Sequence, residues 1–100
     1  MQIFDDPART IHVAAGEAFA VVLAGNPTTG YTWQADVDDR CLALISQEFE
    51  PGGPGAGAGG REVLRFEVRG SGETEITCEY KRPWEAEARN TKRFKVVIVS

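Results

Sequence analysis

Histidine occurs once in these 100 residues, at position 12, and cysteine twice, at 41 and 78. That leaves no convincing Cys–His pair for nucleophilic catalysis and no ligand spacing for a metal. Both cysteines lie in apolar, strand-like surroundings. They read as buried thiols acting as small hydrophobes, with a single Cys41–Cys78 bridge as the alternative in an oxidising compartment. No apolar run approaches the about 20 residues of a membrane helix. The start, Met1-Gln2-Ile3-Phe4-Asp5-Asp6, lacks the basic and apolar regions of an export signal. The expected location is the cytoplasm if Met1 is native, and the periplasm or exterior if an export segment was removed. Lys and Arg number 11 against 15 Asp and Glu, a net charge of −4. No basic stripe is available for phosphates, which argues against nucleic acid. The glycine-rich run at 51–60 lacks the Lys-Ser/Thr and following helix of a phosphate loop. Neither cofactor nor metal is expected.

Amphipathic helical periodicity is missing too. What is present is period-two alternation. Phe19, Val21 and Leu23 share one face of a strand over 18–23. Tyr31, Trp33, Ala35 and Val37 share one over 31–37, with Trp33 suited to the centre of a two-sheet core. Leu64, Phe66 and Val68 alternate over 62–69, Ile76, Cys78 and Tyr80 over 73–81, and Phe94, Val96 and Ile98 over 93–100. Val97 and Val99 are apolar as well, which suggests cover on both faces of that last strand. A short strand at 10–13 and a mixed one at 41–49 complete the set; the latter also fits a single helical turn. Asp5-Asp6-Pro7 reads as a solvated lead-in, and Gly70-Ser71-Gly72 as a tight hairpin connection. One hundred residues make one domain, 1–100. The expected fold is all-β, an immunoglobulin-like antiparallel β-sandwich of seven to eight strands, with a small barrel as the alternative.

Three connections stand out. In Asn26-Pro27-Thr28-Thr29-Gly30-Tyr31, Pro27 fixes its own φ and pushes Asn26 toward extended geometry, while Gly30 admits positive φ. The product is a stiff, uncharged wedge with two hydroxyls at its tip. An ordinary rigid turn would use the same residues, but stiffness matters most for a loop that must enter something. In the run 51–60, six of ten residues are Gly and two are Pro. It has little to bury, so it is a flexible connector or a bare-backbone arm that lies against another protein. In Arg82-Pro83-Trp84, a tryptophan follows a proline at a strand end. It either folds back on the core or stands out as an anchor. In a sandwich of this order all three connections reach one end, and together they make a three-part binding surface.

With these residues on the page, the chain resembles the chagasin family, inhibitors of papain-like cysteine peptidases. The resemblance rests on Asn26-Pro27-Thr28-Thr29-Gly30-Tyr31, then Gly57-Ala58-Gly59-Gly60, then Arg82-Pro83-Trp84, in order and spacing along the whole chain. It implies an immunoglobulin-like sandwich and a tight-binding, reversible inhibitor that is not an enzyme. The first loop would enter the peptidase cleft, with Thr28 and Thr29 at the catalytic cysteine. Asn26, Pro27 and Gly30 would hold its shape, with Tyr31 where an aromatic is expected. The 57–60 segment would make main-chain contacts along the cleft, and Arg82, Pro83 and Trp84 would flank the other side. A monomer suffices for this action. The rival reading is an immunoglobulin-like adhesion or scaffold module whose end loops bind a non-peptidase partner.

Overall fold

Residues 1–26, 29–52 and 59–99 are described in the structure, a computed structural model. Eight strands follow one another: β1 (Gln2–Phe4), β2 (Ile11–Ala14), β3 (Ala18–Gly25), β4 (Thr32–Asp36), β5 (Leu42–Pro51), β6 (Gly60–Val68), β7 (Gly72–Lys81) and β8 (Asn90–Val99). They form two four-stranded sheets, ordered β1-β3-β6-β5 and β2-β8-β7-β4. This is the expected immunoglobulin-like sandwich, and the 41–49 stretch is a strand.

The inward rows follow the alternation. Phe19, Val21, Leu64, Phe66, Ile76, Phe94 and Val96 are all 0% exposed. Phe19 stacks on Phe66 at 5.5 Å and 24°, and Phe4 meets Phe19 edge-on at 6.0 Å. Such ring pairs add about 0.5–1.5 kcal/mol beyond the area they bury. Val97 is half-buried between β2 and β7, whereas Val99 is exposed, so cover on the outer face of β8 is partial. In β5 the register shifts between Leu44 and Ser46, and Leu44 and Ile45 are both exposed there.

Three features differ from the sequence reading. Gln2–Phe4 forms a strand ahead of the solvated Asp5-Asp6; three residues are too few for alternation to register. The two N-terminal strands pair parallel, β1 with β3 and β2 with β8, because the chain's start runs along one edge of each sheet in turn. Gly70-Ser71-Gly72 is not a hairpin. It carries the chain between sheets, since β6 pairs with β3 and β5 while β7 pairs with β8 and β4. The alternation of the flanking strands is the same in either case. The crossing is held instead by the Cys41 carbonyl, which accepts from Arg69 N–H at 2.8 Å and Gly70 N–H at 3.2 Å.

The pairing register gathers the special connections. Gly25 lies opposite Gly60, which lies opposite Pro51; Thr32 lies opposite Lys81, and Tyr80 opposite Asn90. The β3–β4, β5–β6 and β7–β8 connections therefore leave from one end of the sandwich.

Cys41 and Cys78 are both free thiols, but only Cys78 is buried; Cys41, on the turn into β5, is half-buried. Burial pushes Cys78 from 9.0 up to about 12, with Lys92 acting weakly the other way. The unfolded chain therefore loses this proton first as pH rises. The thiol's contribution to stability is complete below about pH 9 and is lost toward about 12. A thiol reagent at pH 8 is expected to leave Cys78 unlabelled in the native protein and label it fully in denaturant. Labelling at equal rates in both states would contradict the packing.

Candidate functional site

The site is built outward from Trp33 on β4, the edge strand of its sheet. The indole is 2% exposed, and its Nε1–H donates to the Ala24 carbonyl at 2.9 Å. The Trp33 backbone N–H donates to Glu62 Oε2 at 3.1 Å. Gln47 Nε2 donates to both the Trp33 carbonyl and Glu62 Oε1, each at 2.7 Å. Ala24, Gln47 and Glu62 belong to the opposite sheet. At Trp33 the free edge of β4 is thus satisfied from across the sandwich.

A column of rings rises from this joint. Tyr80 lies 4.9 Å from Trp33, and Tyr31 stacks on Tyr80 at 5.3 Å and 26°. Tyr80 Oη accepts the Asn26 N–H at 3.0 Å, so one side chain supports both ends of the wedge. Within the wedge, the Asn26 carbonyl accepts the Thr29 N–H at 3.3 Å and the Thr29 hydroxyl at 2.8 Å. The Thr29 hydroxyl therefore donates inward and ties the loop shut. Gly30 has φ +84°, the left-handed region that disfavours a side chain.

The third connection leans on the first. Arg82 Nε–H donates to the Thr29 carbonyl at 3.2 Å, and its guanidinium lies 4.7 Å from the Tyr31 ring centroid. A Cβ built on Gly30 would lie 3.6 Å from Trp84 Cη2, so the indole stands beside the wedge. Trp84 is 74% exposed and Pro83 is exposed. The indole is held out rather than folded into the core, and the Glu85 N–H → Arg82 carbonyl bond of 3.0 Å closes the turn that holds it.

On the other flank, Gly52 N–H donates to the Gly59 carbonyl at 2.9 Å at the base of the arm. A Cβ on Gly60 would run into the Glu50 carbonyl and the Phe49 ring, so the close approach of β5 and β6 requires glycine. A hollow of about 780 Å³ lies between this base and the wedge, lined in part by Gly25, Asn26, Gly59, Gly60 and Tyr80. Of the residues singled out from sequence, Asn26, Thr29, Gly30, Tyr31, Gly59, Gly60, Arg82, Pro83 and Trp84 lie at this end; Pro27, Thr28, Gly57 and Ala58 lie outside the described residues. No cluster of metal-ligating side chains occurs among the described residues.

Glu62 and Gln47 were not singled out by the sequence. One signal was there: Glu62 has the parity of Leu64, Phe66 and Val68, which puts a carboxylate on the inward row, where it is 6% exposed. Glu62→Leu removes the acceptor of the Trp33 N–H and leaves that donor buried. The expected cost is about 1–3 kcal/mol, read as a lower urea midpoint. Unchanged stability would mean that the cross-sheet joint contributes nothing.

The family model described as chagasin family peptidase inhibitor I42 matches residues 12–98. Amoebiasin-1 of Entamoeba histolytica is 33% identical over 95 residues, covering 94% of this chain and 92% of the relative. Chagasin of Trypanosoma cruzi is 30% identical over 95 residues, covering 89% of this chain and 86% of its own length. The crystal structure of the cysteine protease inhibitor EhICP2 from Entamoeba histolytica superposes with a TM-score of 0.83 at 24% identity. It covers 98% of this chain and 95% of that one, a likeness of fold.

Proposed function

This chain belongs to the chagasin family of peptidase inhibitors, and from that premise we propose how it blocks its target. It is an inhibitor of papain-like cysteine peptidases and not an enzyme. The chain acts as one inhibitory domain. Residues 26–31 enter the cleft with Thr28 and Thr29 over the catalytic cysteine. The 57–60 segment runs along one side through main-chain contacts, and Arg82, Pro83 and Trp84 flank the other, with the indole packing on the peptidase.

The observation that carries this reading is the exposed Trp84 standing beside a wedge already closed on itself. Thr29 bonded to Asn26 and Arg82 bonded to Thr29 order the loop before any partner arrives. Ordering in advance lowers the entropy lost on binding, and a large exposed ring supplies area to bury. A loop held in a non-substrate shape keeps its carbonyls away from the thiolate, so it occludes without being cut.

A fluorogenic assay with papain or a cathepsin L-type enzyme tests the reading. Full inhibition is expected well below micromolar protein, and no inhibition at micromolar protein would overturn it. Trp84→Ala is expected to weaken inhibition about 30-fold, the size of a hot spot of roughly 2 kcal/mol. The melting temperature should hold, since so exposed a ring stabilises little. An unchanged inhibition constant would remove Trp84 from the anchor role. On long incubation with active papain the 26–31 loop should stay intact; rapid scission there would rule out occlusion by a non-substrate shape.

A further inference from the structure

Across most of the surface, including the base of the glycine arm, cations sit with carboxylates. Arg40, Arg61, Arg65, Arg69, Arg93 and Lys95 each have an Asp or Glu oxygen within 3.0, 2.8, 3.4, 3.5, 3.9 and 3.6 Å. Around the wedge and the β7–β8 connection the partners are rings instead. The Arg82 guanidinium lies 4.7 Å from Tyr31 and 5.9 Å from Trp84, Arg89 lies 5.5 Å from Tyr31, and Lys92 lies 5.8 Å from Trp33. None of these three is in an ion pair among the described residues. Glu85 and Glu87 belong to the same loop, yet among the described residues neither forms an ion pair, and Glu85 Oε1 is buried without a hydrogen-bond partner.

We propose that Arg82 and Arg89, whose guanidiniums both lie close over the Tyr31 ring, form a carboxylate-recognising platform, and that the preferred target is a papain-like peptidase with an acidic cleft rim. The inference rests on the inhibitor reading above. A guanidinium lying on a ring spends a face, not its N–H edge, and that planar edge fits a carboxylate with two parallel bonds. Arg82 uses Nε on Thr29 and keeps its terminal nitrogens. The backbone of Arg89 is anchored by its N–H to the Tyr80 carbonyl at 2.8 Å, while its side chain is exposed. Between the two lies a hollow of about 300 Å³, lined by Asn26, Thr29, Tyr31, Tyr80, Arg82 and Arg89. A chain of net charge −4 thus turns two guanidiniums that have no carboxylate partner toward the peptidase. The Asp36 and Asp39 carboxylates lie at the far end, where β4 finishes.

The test is the association rate of the whole chain with two papain-like peptidases, one with an acidic cleft rim and one with a neutral rim. Rates are taken at low and high sodium chloride. Capture of the acidic-rim enzyme is expected to be about tenfold faster at low salt, and to lose that advantage at high salt. Arg89→Glu should slow capture of that enzyme about tenfold at low salt and slow the neutral-rim enzyme far less. Rates that ignore salt, an unaffected Arg89→Glu variant, or an equal loss on both enzymes would each overturn the platform. Failure of the inhibitor reading looks different: the unaltered chain would then block neither enzyme.

Discussion

Every polar group of Trp33 is satisfied by the sheet to which it does not belong. The indole N–H goes to Ala24, the backbone N–H to Glu62, and the carbonyl receives Gln47. An edge strand usually leaves such groups to water or to another chain. Here they lock β4 to β3, β5 and β6, and the wedge is the chain that joins β3 to β4. Its two ends are therefore fixed relative to each other by buried bonds. A buried carboxylate is costly unless it is fully engaged. The packing around Glu62 is close: a Cβ on Gly25 would come 3.2 Å from Glu62 Oε2, so the adjoining strand end is matched to the carboxylate.

From that joint the support passes outward by stacking. Tyr80 rests on Trp33, Tyr31 on Tyr80 and the guanidiniums on Tyr31, in a line from core to surface. Rings carry few rotatable bonds, so they transmit position at low entropic cost. The wedge inherits this rigidity twice, through the Tyr80 hydroxyl at Asn26 and through the Arg82 bond to Thr29. The glycine arm is treated differently. Its base is pinned where Gly25, Gly60 and Pro51 meet in register, and close strand approach there excludes a Cβ at Gly60. A backbone bare of side chains can offer its N–H and carbonyl groups directly to a partner.

The arrangement of charge follows the same division of labour. Exposed pairs along the strands, such as Arg93–Glu75 and Lys95–Glu73 across β7 and β8, contribute little to stability but cancel charge locally. Around the wedge and the β7–β8 connection, aromatic faces take the place of carboxylates. Cation–π contact holds an arginine in position without neutralising it. The aromatic column is thus both a mechanical support for the wedge and a mount for free positive charge.

Alternation of apolar residues, read from the chain alone, specified six of the seven longer strands, the inward rows and the two-sheet architecture, because burial of one strand face leaves a period of two in the sequence; the mixed 41–49 stretch, with a register shift in it, carried no such period. The chemistry of Pro27, Gly30 and the Pro83-Trp84 step marked the special loops, since those residue types restrict or release the backbone wherever they occur. Sheet membership was decided only in three dimensions. The same alternation serves a hairpin and a crossing, so the role of 70–72 and the parallel edges at β1 and β2 had no local signature. The joint at Trp33 was hidden as well, because Gln47 and Glu62 meet it across 14 and 29 residues of chain. The free charges of Arg82 and Arg89 depend likewise on which neighbours the fold brings near. Local propensity is written in neighbouring residues; the pairing of distant polar groups is a property of the packed sandwich.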